Sequence, residues 1–258
     1  MKYINLKFEN VTEFLKYIES RTENEVFKGE ILSSKDDNSS FRGTKSFDEA
    51  QELLKYGDKE KMKLLKKSLE KIQAKGSGYK TRRKVKTSIV GCTPHIPNYL
   101  QGMPECMIDV VKTKIKSPKV LTILYNPTVP CVVGAKELSE AGAKMLSYVS
   151  SLESQGYRVN LYLMFMSKPH SRAKETLSLS IRIKSSDQYL DLLKTAYTLA
   201  NPSMLRRHWF RFTEVAPITD KGFVYGYGVP LRKEEDVKKV VLKYDYYFNY
   251  KTASKLKI

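Results

Sequence analysis

Only three cysteines, Cys92, Cys106 and Cys131, occur among the 258 residues. They are too few and too scattered for a disulfide framework or a zinc site, and a reducing cytoplasm is the compartment they imply. No run comes near the roughly 18 apolar residues that a membrane span needs. The opening Met1-Lys2-Tyr3-Ile4-Asn5-Leu6-Lys7 lacks the apolar core of a secretion signal. Also missing are a phosphate-cradling P-loop, a Gly-x-Gly-x-x-Gly fingerprint, a Gly-x-Ser-x-Gly elbow and a paired His-x-x-x-His. The three histidines, His95, His170 and His208, lie far apart, as do the carboxylates Glu105, Asp109 and Asp187. Neither set offers the mutual spacing of an acid–base or metal centre, so the expectation is a protein without cofactor or metal, with a binding role favoured over catalysis and catalysis left open. Cys92, flanked by prolines and basic residues, reads as an inert thiol.

What the chain has in excess is positive charge, +18 in all. The charge is clustered: residues 55–86 hold 13 basic and 3 acidic side chains, whereas residues 1–54 are slightly acidic. A field of this sign and density attracts polyanions, and nucleic acid is the partner it implies. Its candidate footprint is Lys63, Lys66, Lys67, Lys80, Arg82, Arg83, Lys84 and Lys86, around the glycine hinge Gly76-Ser77-Gly78. A second candidate patch is Arg206-Arg207-His208-Trp209-Phe210-Arg211-Phe212, which mixes guanidinium groups with rings as phosphate clamps and base-stacking platforms do. Read as a strand it places Arg207, Trp209 and Arg211 on one face and His208, Phe210 and Phe212 on the other; Arg206 belongs to the same candidate patch. Read as core it buries the rings around the only tryptophan.

Periodicity gives an α/β architecture. Val11, Phe14, Leu15 and Ile18 fall at helical spacing, and Ser46 with Glu49 fits a capping box for a helix ending near Gly57. A basic helix is expected over about 59–75. Val120–Tyr125 is a continuous apolar run, as a buried strand is; 135–155 is an amphipathic helix stopped by Gly156; 157–166 and 177–183 are further strands, the latter pair antiparallel; and 187–199 is a helix closed by Asn201-Pro202. Gly222–Val229, with alternating glycines and aromatics, reads as one more strand. The expected domains are an N-terminal helical lobe (1–75), a basic, proline-rich connection (76–117), an α/β domain (118–243) and a basic aromatic tail (244–258).

The run Leu121-Thr122-Ile123-Leu124-Tyr125-Asn126-Pro127-Thr128-Val129-Pro130, followed by a long helix, two adjacent strands and a helix, resembles the von Willebrand factor A-type fold. The resemblance implies a Rossmann-like sheet with flanking helices behind an α-rich lobe. In that family the loop after the first strand binds a divalent cation through Asp-x-Ser-x-Ser. Here the matching positions are Asn126, Thr128 and Pro130, so the resemblance implies a degenerate, metal-free site at Asn126 and Thr128. Phe41-Arg42-Gly43-Thr44-Lys45-Ser46-Phe47-Asp48-Glu49-Ala50, and Val90-Gly91 with Pro94, Ile96-Pro97, Tyr99-Leu100, Gly102 and Pro104, are similar to an uncharacterised family of bacteriophages and mobile elements. The implied setting is a bacterial host cytoplasm, or a virion. Three functions are carried forward: sequence-tolerant DNA or RNA binding first; a virion or assembly module contacting phage or host proteins second; a metal-dependent nuclease last.

Overall fold

The computed structural model describes residues 2–36, 39–63, 84–111, 119–171, 175–240 and 243–256. The chain opens with strand β1 (Lys2–Phe8) and helix α1 (Val11–Glu19). The Asn10 side chain caps α1 by accepting the Glu13 amide at 2.8 Å, and Phe14, Leu15 and Ile18 are buried. A helical turn, α2 (Ser39–Arg42), precedes α3 (Phe47–Tyr56), which Ser46 caps and Gly57 ends at φ 92°. The strands β2 (Lys84–Ser88), β3 (Thr93–Pro94) and β4 (Met107–Val111) form a separate antiparallel sheet ordered β2-β4-β3, with the short helix α4 (Ile96–Leu100) between β3 and β4.

The main sheet begins again at β5 (Val120–Asn126), followed by α5 (Ala135–Ser154), β6 (Arg158–Lys168), β7 (Glu175–Lys184) and α6 (Leu192–Ala200). A π-helical segment, Met204–Trp209, runs directly into α7 (Phe210–Val215). The chain closes with β8 (Val229–Pro230), α8 (Glu234–Lys238), β9 (Tyr246–Asn249) and α9 (Tyr250–Ser254). The strand order is β1-β7-β6-β5-β9, with β8 paired to the end of β6. The β1–β7, β5–β6 and β5–β9 pairs are parallel and β6–β7 is antiparallel, giving a mixed α/β fold with a mostly parallel sheet flanked by helices. Helices α5 and α6 touch backbone to backbone, because a Cβ at Gly142 would fall 1.8 Å from the Leu199 carbonyl oxygen. Among the described residues no helix is long and apolar enough to cross a membrane.

Several sequence expectations need correction. The N-terminal segment is not a lobe of its own: β1 lies in the sheet beside β7, and Phe8, Phe14, Ile18, Phe27 and Leu54 share one apolar core with Ile123, Leu163 and Trp209. The expected tail supplies β9, an edge strand that pairs parallel with β5. Gly222–Val229 is not a strand. Gly226, Tyr227 and Gly228 take φ values of 61°, 61° and 83°, three left-handed residues in succession, which no pleated strand contains. At Gly228 a Cβ would meet the Lys168 carbonyl oxygen at 2.5 Å, so this position needs its glycine. Of the expected basic helix, residues 59–63 are helical and the remainder lies outside the described residues, as does the Gly76-Ser77-Gly78 hinge.

Candidate functional site

The small sheet holds the exposed candidates. Its register pairs Lys84 with Val111, Lys86 with Asp109 and Ser88 with Met107. Paired Cα atoms in an antiparallel ladder stand about 5 Å apart, so the chain enters and leaves this ribbon at adjacent points. The sequence running into it is Tyr79-Lys80-Thr81-Arg82-Arg83-Lys84, and the sequence running out is Lys112-Thr113-Lys114-Ile115-Lys116-Ser117-Pro118-Lys119. Neither contains an acidic residue. The pairing of β2 with β4 thus sets Lys84, which ends the first of these runs in sequence, beside Val111, which precedes the second. Lys63 and Lys86 are exposed, and Lys66, Lys67, Lys80, Arg82 and Arg83 lie outside the described residues.

No side chain described between residues 86 and 109 is buried. At the far end of the ribbon Ile89, Val90, Ile96, Tyr99, Leu100 and Met103 all face solvent. Exposed apolar patches are a common feature of interaction surfaces. His95 is absorbed structurally, since its Nδ1 accepts the Asn98 amide at 3.3 Å to cap α4. Cys92 is an exposed free thiol.

The second candidate patch is not a surface. Arg206 and Arg207 are 1% and 0% exposed, and Trp209 and Arg211 are buried as well. The segment is π-helical, so the face that a strand would have made does not exist. Arg207 spends its whole guanidinium on the N-terminal segment. Nε donates to Thr44 Oγ1 at 2.7 Å, Nη1 to the Ser34 and Asp36 carbonyls at 2.9 and 3.1 Å, and Nη2 to the Thr44 and Lys45 carbonyls at 2.8 and 3.0 Å. Arg211 Nη1 pairs with Glu23 at 2.8 Å and more loosely with Glu214 at 3.5 Å, while Nη2 donates to the Arg21 carbonyl. A backbone N–H and then Arg211 hold the Glu23 carboxyl down at about 2. Trp209 stacks between Phe165 and Phe212 with ring centroids 5.5 Å from each. These arginines fasten residues 21–45 to the core, and they are withdrawn from the nucleic-acid footprint.

Arg206 differs from its neighbours. Its Nη1 donates to the Phe41 carbonyl at 2.5 Å, its Nη2 donates to the Val133 carbonyl, and its guanidinium lies 3.8 Å from the Phe41 ring centroid. Among the described residues no carboxylate pairs with it, and burial pulls its pKa down to about 10. It lines a cavity of about 290 Å³ at the carboxyl ends of β5 and β6, with Trp209, Phe210, Tyr227, Pro130 and Ser167.

The two positions compared with a metal loop are committed to hydrogen bonds within the protein. Asn126 Nδ2 donates to the Leu231 carbonyl at 3.0 Å and to Tyr247 Oη at 3.2 Å, and its Oδ1 accepts the Thr128 amide at 3.0 Å. Thr128 Oγ1 accepts the Met166 amide at 3.2 Å. The amide is chemically required, because a carboxylate has no hydrogen to give the Leu231 carbonyl. Among the described residues no group of three histidine, cysteine or acidic side chains is placed to hold a metal ion. His208 is fully buried, with Nε2 2.9 Å from Tyr197 Oη and 3.2 Å from the Ala50 carbonyl. Asp109 faces Lys86 across the ribbon, and Asp187 belongs to a turn after β7, so the acidic candidates do not converge.

Sequence reasoning missed the ribbon register. It also missed the cavity, whose walls come from residues 41, 128–131, 167–170, 205–210 and 226–230 and so have no local signature. A family model described as Domain of unknown function (DUF7192) matches residues 2–255. No curated protein and no solved structure matches the chain.

Proposed function

We propose, for a chain that belongs to the family described as Domain of unknown function (DUF7192), that it binds nucleic acid through the β2–β4 ribbon and the basic tracts on either side. The observation that carries this reading is the Lys84–Val111 pairing: in sequence Lys84 ends one acid-free basic tract and Val111 immediately precedes another. Between residues 79 and 86 stand Lys80, Arg82, Arg83, Lys84 and Lys86; between 112 and 119 stand Lys112, Lys114, Lys116 and Lys119. Cations grouped in this way neutralise phosphates and release condensed counterions, which gives binding with little sequence preference and steep salt dependence. The ribbon's end suits the same partner. Exposed apolar or aromatic side chains such as Ile96, Tyr99 and Leu100 can stack on bases or wedge between them. A host cytoplasm and a phage or mobile-element setting belong to this reading.

The test is fluorescence anisotropy of the full chain on labelled duplex DNA, single-stranded DNA and RNA across a salt series. The expected result is binding to at least one of them, with log K falling linearly in log salt. Absent binding, or affinity indifferent to salt, would overturn the reading.

One observation favours the assembly alternative, namely the uncovered apolar end of the ribbon. On that reading the strand, long helix, paired strands and helix from β5 to α6 are a von Willebrand A-like scaffold whose metal position has become a hydrogen-bonded corner at Asn126 and Thr128. Light scattering after size-exclusion chromatography separates the two, since an assembly module forms ordered oligomers without nucleic acid.

A further inference from the structure

The cavity beside Arg206 has features that the packing of the core does not require. The Ser167 hydroxyl lines it, is 1% exposed and has no hydrogen-bond partner among the described residues, whereas buried polar groups are normally satisfied. Arg206 commits one N–H each to the Phe41 and Val133 carbonyls, which leaves up to three of its five donors for another acceptor. Its charge meets only neutral oxygens in those bonds, and a desolvated cation without a counter-charge is costly. Thr128 also lines the cavity, and its Oγ1 accepts the Met166 amide, so the hydroxyl hydrogen remains free to donate. Three donors therefore border a space that His170 and Cys131 also line and whose apolar walls include Trp209, Phe210, Val129 and Pro130.

The walls are held rigid in ways that bulk packing does not need. Tyr227, at φ 61°, is the only described non-glycine residue in the left-handed region. Its ring stacks on Phe210 at 4.0 Å and 3°, and its hydroxyl donates to Glu214 at 2.7 Å and accepts the Ser33 amide at 2.8 Å. Arg206 and Trp209 are delivered from a π-helical segment, a form concentrated at functional sites, as strained backbone is at ligand clamps. The site lies beyond the carboxyl ends of parallel strands, where open α/β sheets bind ligands.

We propose that this cavity binds a small organic anion, with a carboxylate or phosphate group on Arg206 and the Ser167 hydroxyl and a flat apolar body against Trp209 and Phe210. The volume of about 290 Å³ is at the small end for ligand sites, which limits the body to about one ring. The inference is independent of the ribbon and of nucleic acid.

Trp209 is the only tryptophan in the sequence and lines the cavity, so its emission reports occupancy. The experiment titrates the full chain with benzoate, phenyl phosphate, benzamide and inorganic phosphate, following Trp209 fluorescence and heat by calorimetry. Expected is a saturable response to benzoate or phenyl phosphate, weakened roughly tenfold or more for neutral benzamide and for inorganic phosphate. Arg206→Lys should lose about the same factor. Because Arg206 also tethers Phe41 and Val133 and its variant could fail to fold, Ser167→Ala provides a second arm. It removes a hydroxyl with no partner among the described residues, so stability should hold while affinity for the responding probe drops a few-fold. No saturable response to either aromatic anion would overturn the proposal. So would benzamide binding as well as benzoate, inorganic phosphate binding as well as phenyl phosphate, or Ser167→Ala binding unchanged.

Discussion

Replacing Arg207 with lysine keeps the positive charge and removes the planar fork. In the fold that fork makes five hydrogen bonds among the described residues, to Ser34, Asp36, Thr44 and Lys45, all in the segment between α1 and α3. An ammonium has three donors and cannot span both sides of the site, so at least two bonds are lost and their carbonyls stay buried. Hydrogen bonds from a charged donor contribute about 1.5–3 kcal/mol each, and dismantling a buried charged cluster costs about 3–5 kcal/mol, so we expect Arg207→Lys to destabilise by roughly 3–5 kcal/mol. At about 2–4 °C per kcal/mol for a chain of this size, the melting temperature drops by roughly 6–20 °C. Circular-dichroism melts read this directly, and anisotropy well below the transition reads nucleic-acid affinity on the folded variant. The reasoning requires a large fall in Tm with affinity retained. A variant that melts with the wild type but no longer binds nucleic acid would refute it and return Arg207 to the interface.

His208 carries a pH prediction. Burial, and to a smaller degree the charge of Arg207, hold its pKa at about 4 in the fold despite its contact with the Ala50 carbonyl, while the unfolded chain protonates it near 6.5. Between those values the unfolded state takes up a proton that the folded state refuses, so stability falls as pH drops from about 6.5 towards 4, by up to roughly 3 kcal/mol. Urea denaturation of wild type and His208→Gln at pH 7 and pH 4.5 checks this, and an equal loss of stability in both would contradict it. Asn126→Asp restores the carboxylate of a metal loop but sets it against the Leu231 carbonyl that Asn126 now donates to at 3.0 Å. We expect it to destabilise by about 1–3 kcal/mol, with no recovery in millimolar Mg²⁺. A Mg²⁺-dependent rise in its Tm would show that the loop can still assemble a cation site.

The legible part of the fold was the part whose signals are local. Val120–Asn126 is a continuous apolar run, Leu138, Ala141, Met145 and Val149 repeat at helical spacing, and Leu177, Leu179 and Ile181 alternate; these became β5, α5 and β7. At Ser46 and Glu49 the side-chain chemistry itself named the start of a helix. The N-terminal strand was missed although Ile4, Leu6 and Phe8 alternate, because one short stretch of alternation between lysines reads equally well as a solvated terminus. What escaped the sequence elsewhere was decided over long distances. Arg-Arg-His-Trp-Phe-Arg-Phe has the same composition as a basic surface and as a core segment, and carbonyl groups more than 160 residues away selected the second. Alternating glycine and tyrosine around Tyr227 satisfies a strand pattern, while the positive φ angles that make it a turn leave no mark that distinguishes the two. The basic tract at 79–86 was visible, but the run at 112–119 gained meaning only when the register set Lys84, which belongs to the first, beside Val111, which precedes the second.

That juxtaposition is tested most directly by comparing Arg82→Ala/Arg83→Ala with Lys112→Ala/Lys114→Ala and with all four substitutions combined, in salt-dependent anisotropy on the same nucleic acid. If the tracts act as one polyanion site, each pair lowers the slope of log K against log salt by about 1.5–2 and the combination lowers it by about twice that. A slope untouched by Lys112→Ala/Lys114→Ala, with Arg82→Ala/Arg83→Ala alone abolishing binding, would contradict a shared site built by the β2–β4 pairing.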